Sequence, residues 1–166
     1  MVLKNSWLIF IFILGISFPS FLSIPSKSRE SGGVVVSAYH NKEFMCLVEA
    51  LVYEAFGEPL EGIEAVLSVI VNRKNITGKS FCSIIRQPWQ FSFRNKHNDE
   101  VDLSLEKFRN HSKYKEIQYL AYQAYTGKFE ITLPPNTIHF VGKNHKTDWI
   151  KKKTLVKIIG GHAFYN

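Results

Sequence analysis

Cysteine is scarce in this chain: Cys46 and Cys82 are the only two in 166 residues. Two cysteines do not make a zinc site, and the six histidines supply neither an H-E-x-x-H pattern nor a Cys/His cluster at zinc spacing. No metal and no other cofactor is expected. In an exported protein the two thiols can form one bridge; both also sit among apolar residues, where a free cysteine behaves as a small hydrophobe. Acidic residues are outnumbered, 14 against 21 Lys and Arg, for a formal net charge of +7. That surplus favours a polyanionic partner, whether nucleic acid, anionic lipid headgroups or the acidic polymers of a bacterial envelope. No internal repeat is present. Apolar residues make up 45% and charged residues 21%, which is globular rather than disordered composition, and the length suits one domain.

The N-terminal residues address the compartment. Lys4 precedes an apolar run from Trp7 to Phe18, the layout of a secretory signal. Pro19, Ser20, Ser23 and Pro25 follow, but no clean A-x-A cleavage site does. Residues 1–24 are therefore expected to be a signal peptide or, uncleaved, a membrane anchor, since the run approaches the length of a span. Residues 25–40 are polar at first, include Gly32 and Gly33, and read as a linker. The functional domain is expected over 41–166.

From Asn41 onward, Phe44, Leu47, Val48, Leu51 and Ala55 follow helical periodicity, with Asn41 as N-cap and Gly57 and Pro59 as the stop. A second helix, apolar on most sides, is expected from Leu60 to Asn72 as the buried centre of the domain. Phe81 to Ile85 reads as a short helical turn. After it, Pro88 predicts an extended or turned backbone through Ser92, and Arg94 to Asp102 reads as a polar surface loop. A third long helix is expected from Ser104 to Thr126, closed by Gly127. Thr137 to Val141 alternates, and Val156 to Ile159, Gly160, Gly161, then His162 to Tyr165 reads as a hairpin with a Gly-Gly turn. Helices first and strands later indicate α+β, a helical domain with a small C-terminal antiparallel sheet.

Glu54 is the sharpest chemical feature. It falls on the flank of the apolar stripe, roughly 80° from its centre at 100° per residue, whereas Glu49 points to the far side and is expected to be solvated. Glu54 also lies in the last turn of its helix, near the negative end of the macrodipole. Partial burial and that negative end both push a carboxyl pKa upward. A carboxylic acid kept protonated near neutral pH is what protonates the leaving oxygen of a sugar–sugar bond.

Glu54, Ala55, Gly57, Glu58, Glu61, Gly62, Ala65, Val66, Asn72 and Arg73 carry a resemblance that extends through Cys82, Ile84, Gln87, Pro88 and Gln90 to Ser92. It continues in His139, Phe140, Trp149 and the closing Gly-x-His-x-Phe from Gly160 to Phe164. The chain resembles the bacterial SleB-type cell wall hydrolases, a family that includes the spore-cortex-lytic enzymes, over about Cys46 to Tyr165. Two positions depart from its pattern: Phe56 stands where an Arg is usual and Ile63 where a Gln is usual. The resemblance implies a lysozyme-like fold that cuts the MurNAc–GlcNAc bond of peptidoglycan, in some members as a lytic transglycosylase, and it assigns the catalytic glutamate to Glu54.

Gln90 and Ser92, on an expected extended segment, can hydrogen-bond a sugar, with Phe91 between them packing inward. These three, with His139, Trp149 and Tyr165, form the expected substrate-binding set; Trp89 is a further candidate for stacking on a sugar ring. Asn72 and Arg73 at the helix end read as a structural anchor. The expected partner is a peptidoglycan glycan strand met by an exported monomer in the periplasm, the envelope or outside the cell. Two alternatives stand beside this reading. One is a two-carboxylate muramidase, which would need a second Asp or Glu facing Glu54. The other is a non-enzymatic basic envelope-binding module using Lys143, Lys146 and Lys151 to Lys153 near aromatics; export argues against nucleic acid.

Overall fold

The computed structural model describes residues 41–94 and 104–166. The expected signal or anchor at 1–24, the linker at 25–40 and the loop residues 95–103 lie outside the described residues. Among the described residues no helix is long and apolar enough to cross a membrane.

Helix α1, Lys42–Ala55, starts where Asn41 accepts a hydrogen bond from the Glu43 backbone N–H at 2.9 Å. Helix α2, Leu60–Thr77, runs at the centre, with Ile63, Val66, Leu67 and Ile70 fully buried. It is longer than the expected helix ending at Asn72, and stops at Gly78, whose φ of 68° is the left-handed conformation that closes a helix. The short α3, Phe81–Ile85, is capped by the Ser80 side chain. Helix α4, Ser112–Tyr125, begins later than the expected Ser104, because a 3-10 turn at Glu106–Phe108 intervenes. Phe108 on that turn packs against Tyr53 and Phe56 instead of sitting on the helix.

Helix α1 touches α2, α3 and α4, so it is buried nearly all round rather than along one stripe. That geometry overturns the expectation for Glu49, which is 6% exposed and ion-paired with the Arg94 guanidinium. Arg94, expected on a surface loop, is drawn inside by the same pair, because a buried carboxylate is tolerated only with a partner. Cys46 and Cys82 form a disulfide that staples α1 to α3.

The sheet has the order β1-β3-β2, all antiparallel: β1 His139–Gly142, β2 Leu155–Ile159 and β3 His162–Tyr165. Gly160 and Gly161 form the β2–β3 turn, Gly160 with φ 56°. Helix α2 packs on β1 and β2. Side chains of α2 also tie down the chain entering β1. Asn72 donates to Pro134 O and Thr137 O at 2.9 and 3.0 Å, and Arg73 Nε donates to Ile138 O at 2.7 Å. These two residues anchor the sheet from within the helix, not from its end.

Candidate active site

A cleft of roughly 600 Å³ opens between the helices and the sheet. The last turn of α1 supplies Glu54, α2 supplies Arg73, and the segment after α3 supplies Trp89, Gln90 and Ser92. The facing wall is β1 together with His145, Thr147, Trp149 and Lys153 of the β1–β2 connection, and His162 at the start of β3.

Glu54 is half-buried on the cleft wall, as expected from its place on the flank of α1. Burial raises its pKa above the ordinary carboxylate value. Opposing that shift, the Ser92 backbone N–H and hydroxyl both donate to Oε1, at 3.0 and 3.2 Å. The charge of His162 and the Phe93 backbone N–H also favour the carboxylate, but desolvation is the larger effect. Glu54 is the one carboxylate lining the cleft among the described residues.

The segment that brings Ser92 to Glu54 is not extended. Between Gln87 and Arg94 the backbone makes consecutive turns, with Gln90 N–H bonded to Gln87 O and Arg94 N–H to Phe91 O. Two buried anchors, Phe91 at 1% exposure and Arg94 on Glu49, pull the chain inward on either side of Ser92 and curl it. Trp89 is left at the rim, 84% exposed, in the left-handed region at φ 65°. A non-glycine residue pays on the order of 1–2 kcal/mol for that conformation.

The expected substrate-binding set separates under this geometry. Gln90, Ser92, His139 and Trp149 line the cleft, although the Ser92 hydroxyl is directed at Glu54. Phe91 does not line it, being buried against the tilted rings of Phe93 and Phe140. Tyr165 does not line it either; it backs Trp149, with ring centroids 6.2 Å apart, while His139 meets the same indole at 5.4 Å. Burial, Lys153 and Arg73 together lower the His139 pKa, which leaves its imidazole neutral at neutral pH.

Sequence reasoning left Arg73 and His162 out of the cleft. Arg73 shows both an anchor and a cleft surface, and burial pulls its pKa down to about 10, still a cation at neutral pH. The signal for His162 was the closing Gly-x-His-x-Phe. Its partner is Glu58, whose Oε2 accepts from Gly161 N–H at 2.7 Å and whose Oε1 lies 3.6 Å from His162 Nδ1. A Cβ on Gly160 would stand 2.0 Å from Glu58 Oε2, and one on Gly161 2.6 Å from Oε1. The turn needs two glycines because this carboxylate sits against the backbone. Phe56, the departure in the Glu-Ala-Arg-Gly-Glu core, lies away from the cleft lining against Phe108 and His111, and Ile63 is core.

The fold and the cleft define an α+β domain whose cleft lies between a helical wall bearing one acidic side chain and a sheet wall bearing aromatics and histidines. A family model described as Cell Wall Hydrolase matches residues 57–165, and the chain belongs to that family; Glu54 lies just ahead of the matched stretch. The protein is thus an enzyme acting on peptidoglycan. Its fold is similar to the catalytic domain of the germination-specific lytic transglycosylase SleB from Bacillus anthracis. That match has a TM-score of 0.58 at 20% identity and covers 77% of this chain and 97% of that one. The catalytic domain of the Bacillus cereus SleB protein is similar at a TM-score of 0.56 and 21% identity, over 75% of this chain and 89% of that one. No curated protein matches the chain.

Proposed function

We propose that the protein cuts the MurNAc–GlcNAc bond as a lytic transglycosylase, with Glu54 acting first as acid and then as base. The observation that carries this reading is the Glu54 carboxyl itself: half-buried in the cleft, raised in pKa by burial, and oriented through Oε1 by two donors from Ser92. A protonated Glu54 gives its proton to the glycosidic oxygen as the bond from C1 to that oxygen breaks. The resulting carboxylate, stabilised by Ser92 and by the nearby His162, takes the proton of the muramoyl 6-hydroxyl as that oxygen bonds to C1. The products are a free 4-hydroxyl and a 1,6-anhydro end, Glu54 recovers its proton, and no water is consumed.

Gln90, Trp89 and Trp149 are the candidates to hold sugar rings beside the acid, by hydrogen bonding and stacking. Export through residues 1–24, by a cleaved signal or a retained anchor, brings this chemistry to the wall, where a monomer suffices.

Glu54→Gln should lower the release of soluble muropeptides from purified sacculi by on the order of 10³-fold while the far-UV spectrum is unchanged. A pure envelope-binding module would be indifferent to that change. Mass spectrometry of the products of the parent enzyme tests the reaction class: a 1,6-anhydro end is lighter by one water than a reducing end. Reducing ends alone would make the enzyme a hydrolase.

A further inference from the structure

Glu54 is the single acidic side chain lining the cleft among the described residues, yet two cations, Arg73 and Lys153, line it as well. Neither has a carboxylate partner among the described residues; the nearby Lys151, by contrast, is paired with Asp148 at 2.8 Å. Arg73 is held in place: Nε is bonded to Ile138 O, the guanidinium lies 5.7 Å from the Phe91 ring centroid, and Nη1 is buried without a hydrogen-bond partner. A guanidinium drawn this far from water without an anion is a costly arrangement. Lys153 lies at the end of the 3-10 turn Asp148–Lys152 and is exposed, with its backbone N–H bonded to Ile150 O. Both cations act on the His139 ring, which places them around one patch of the cleft. His139 in turn packs on Trp149, a 39% exposed indole able to take the flat face of a sugar.

We propose that Arg73 and Lys153 form a carboxylate-binding subsite beside the Trp149 platform, so that the preferred substrate is a glycan strand carrying a free carboxylate next to the scissile bond. Two groups of peptidoglycan offer that chemistry: the lactyl carboxylate of a muramic acid without its peptide, and the carboxylates of the stem peptide. A planar guanidinium fixed at Nε meets a carboxylate from the cleft with little further loss of freedom, and the flexible lysine completes the charge. This inference rests on the glycan-cleaving reading of the cleft and adds the chemical class of its ligand.

Binding can be separated from cleavage with Glu54→Gln. Three probes are compared by tryptophan fluorescence at low salt: peptide-free glycan strands with free lactyl carboxylates, the same strands methyl-esterified, and peptide-bearing strands. Esterification should weaken binding by about tenfold, as expected for the loss of one charge-assisted contact. Adding Lys153→Ala, a surface change that leaves the fold intact, should remove most of that difference. Arg73→Lys, which keeps the charge but loses the fork, should remove part of it. Tight binding of peptide-free strands names the lactyl group as the source; tight binding of peptide-bearing strands alone names the stem. Equal binding of esterified and free peptide-free strands, with peptide-bearing strands binding no more tightly than either, overturns the subsite while leaving glycan cleavage by the parent enzyme standing. If the parent enzyme cleaves none of the three, the function falls and the subsite with it.

Discussion

The helical side of the cleft is held by an apolar core and one covalent cross-link, whereas the sheet side is three short strands hung from that core. On the helical side Phe44, Leu47, Leu51, Ile63, Leu67 and Ile70 are fully buried, and the Cys46–Cys82 bridge joins α1 to α3. Each such side chain contributes roughly 1.5–3 kcal/mol of burial. On the sheet side Leu155 and Ile158 are about half exposed. There Ile159, Ala163 and Phe164 are buried, and the other attachments are polar and specific: Asn72 and Arg73 hold the chain entering β1, and Glu58 holds the Gly160–Gly161 turn. Glu54 therefore stands on the side held by the core and the cross-link, where its environment can be set by packing. His139, Trp149 and His162 stand on the thinner side. Two glutamates four positions apart show the division. Glu54 faces the cleft with its pKa raised by burial, and Glu58 is spent on joining the two sides.

The comparison can be broken most severely by removing the cross-link. Changing Cys46 and Cys82 to Ala together frees a loop with a sequence separation of 36, which should cost about 3–4 kcal/mol on chain-entropy grounds. Urea unfolding is the measurement, and a loss below about 1 kcal/mol would mean that packing alone holds the helical side. Next in size is Gly160→Ala, which asks a non-glycine residue to take φ 56° and drives the Glu58 carboxyl off Gly161. A loss of about 1–3 kcal/mol in a thermal or urea titration is expected. Because His162 follows that turn, muropeptide release should fall as well; full activity would show that the clamp does not position the sheet side.

The smallest effect sharpens the comparison at Glu54. Its pKa is raised in the folded protein, so between the unfolded and folded values the native chain keeps a proton that the unfolded chain has lost. Stability therefore falls as pH rises through that window, and is lower above it than below it. Glu54→Gln should raise the melting temperature at pH 7 by on the order of a few degrees, with the gain vanishing below the ordinary glutamate pKa. Equal melting temperatures at both pH values would show that the Ser92 and His162 contacts offset desolvation in full.

Local signals carried much of the architecture. Asn41 and Gly57 bracketed α1 because capping needs a side-chain acceptor at one end and a break at the other. The hairpin was legible because Gly160 and Gly161 interrupt two apolar runs. Other readings failed where the deciding partner is far along the chain. Glu49 looked solvated because helical phase describes only one buried face; α1 has neighbours on several sides, and its countercharge, Arg94, stands 45 residues away. The stretch after Pro88 looked extended because a proline restricts the residue before it. The curl around Ser92 comes instead from burying Phe91 and Arg94.

By itself the sequence determined the order of helices and strands, the α+β class and the family, and singled out Glu54 as the candidate acid, because caps, glycine turns, periodicity and a run of motif residues are all written locally. Only the tertiary structure decided which side chains share the cleft. It buried Phe91, set Tyr165 behind Trp149, turned Ser92 onto Glu54 and brought Arg73 and His162 to the acid. The physical reason is that desolvation and charge pairing depend on distances through space, and the residues that set them here lie some 20 to 110 positions from Glu54 in a chain whose local rules reach only about four.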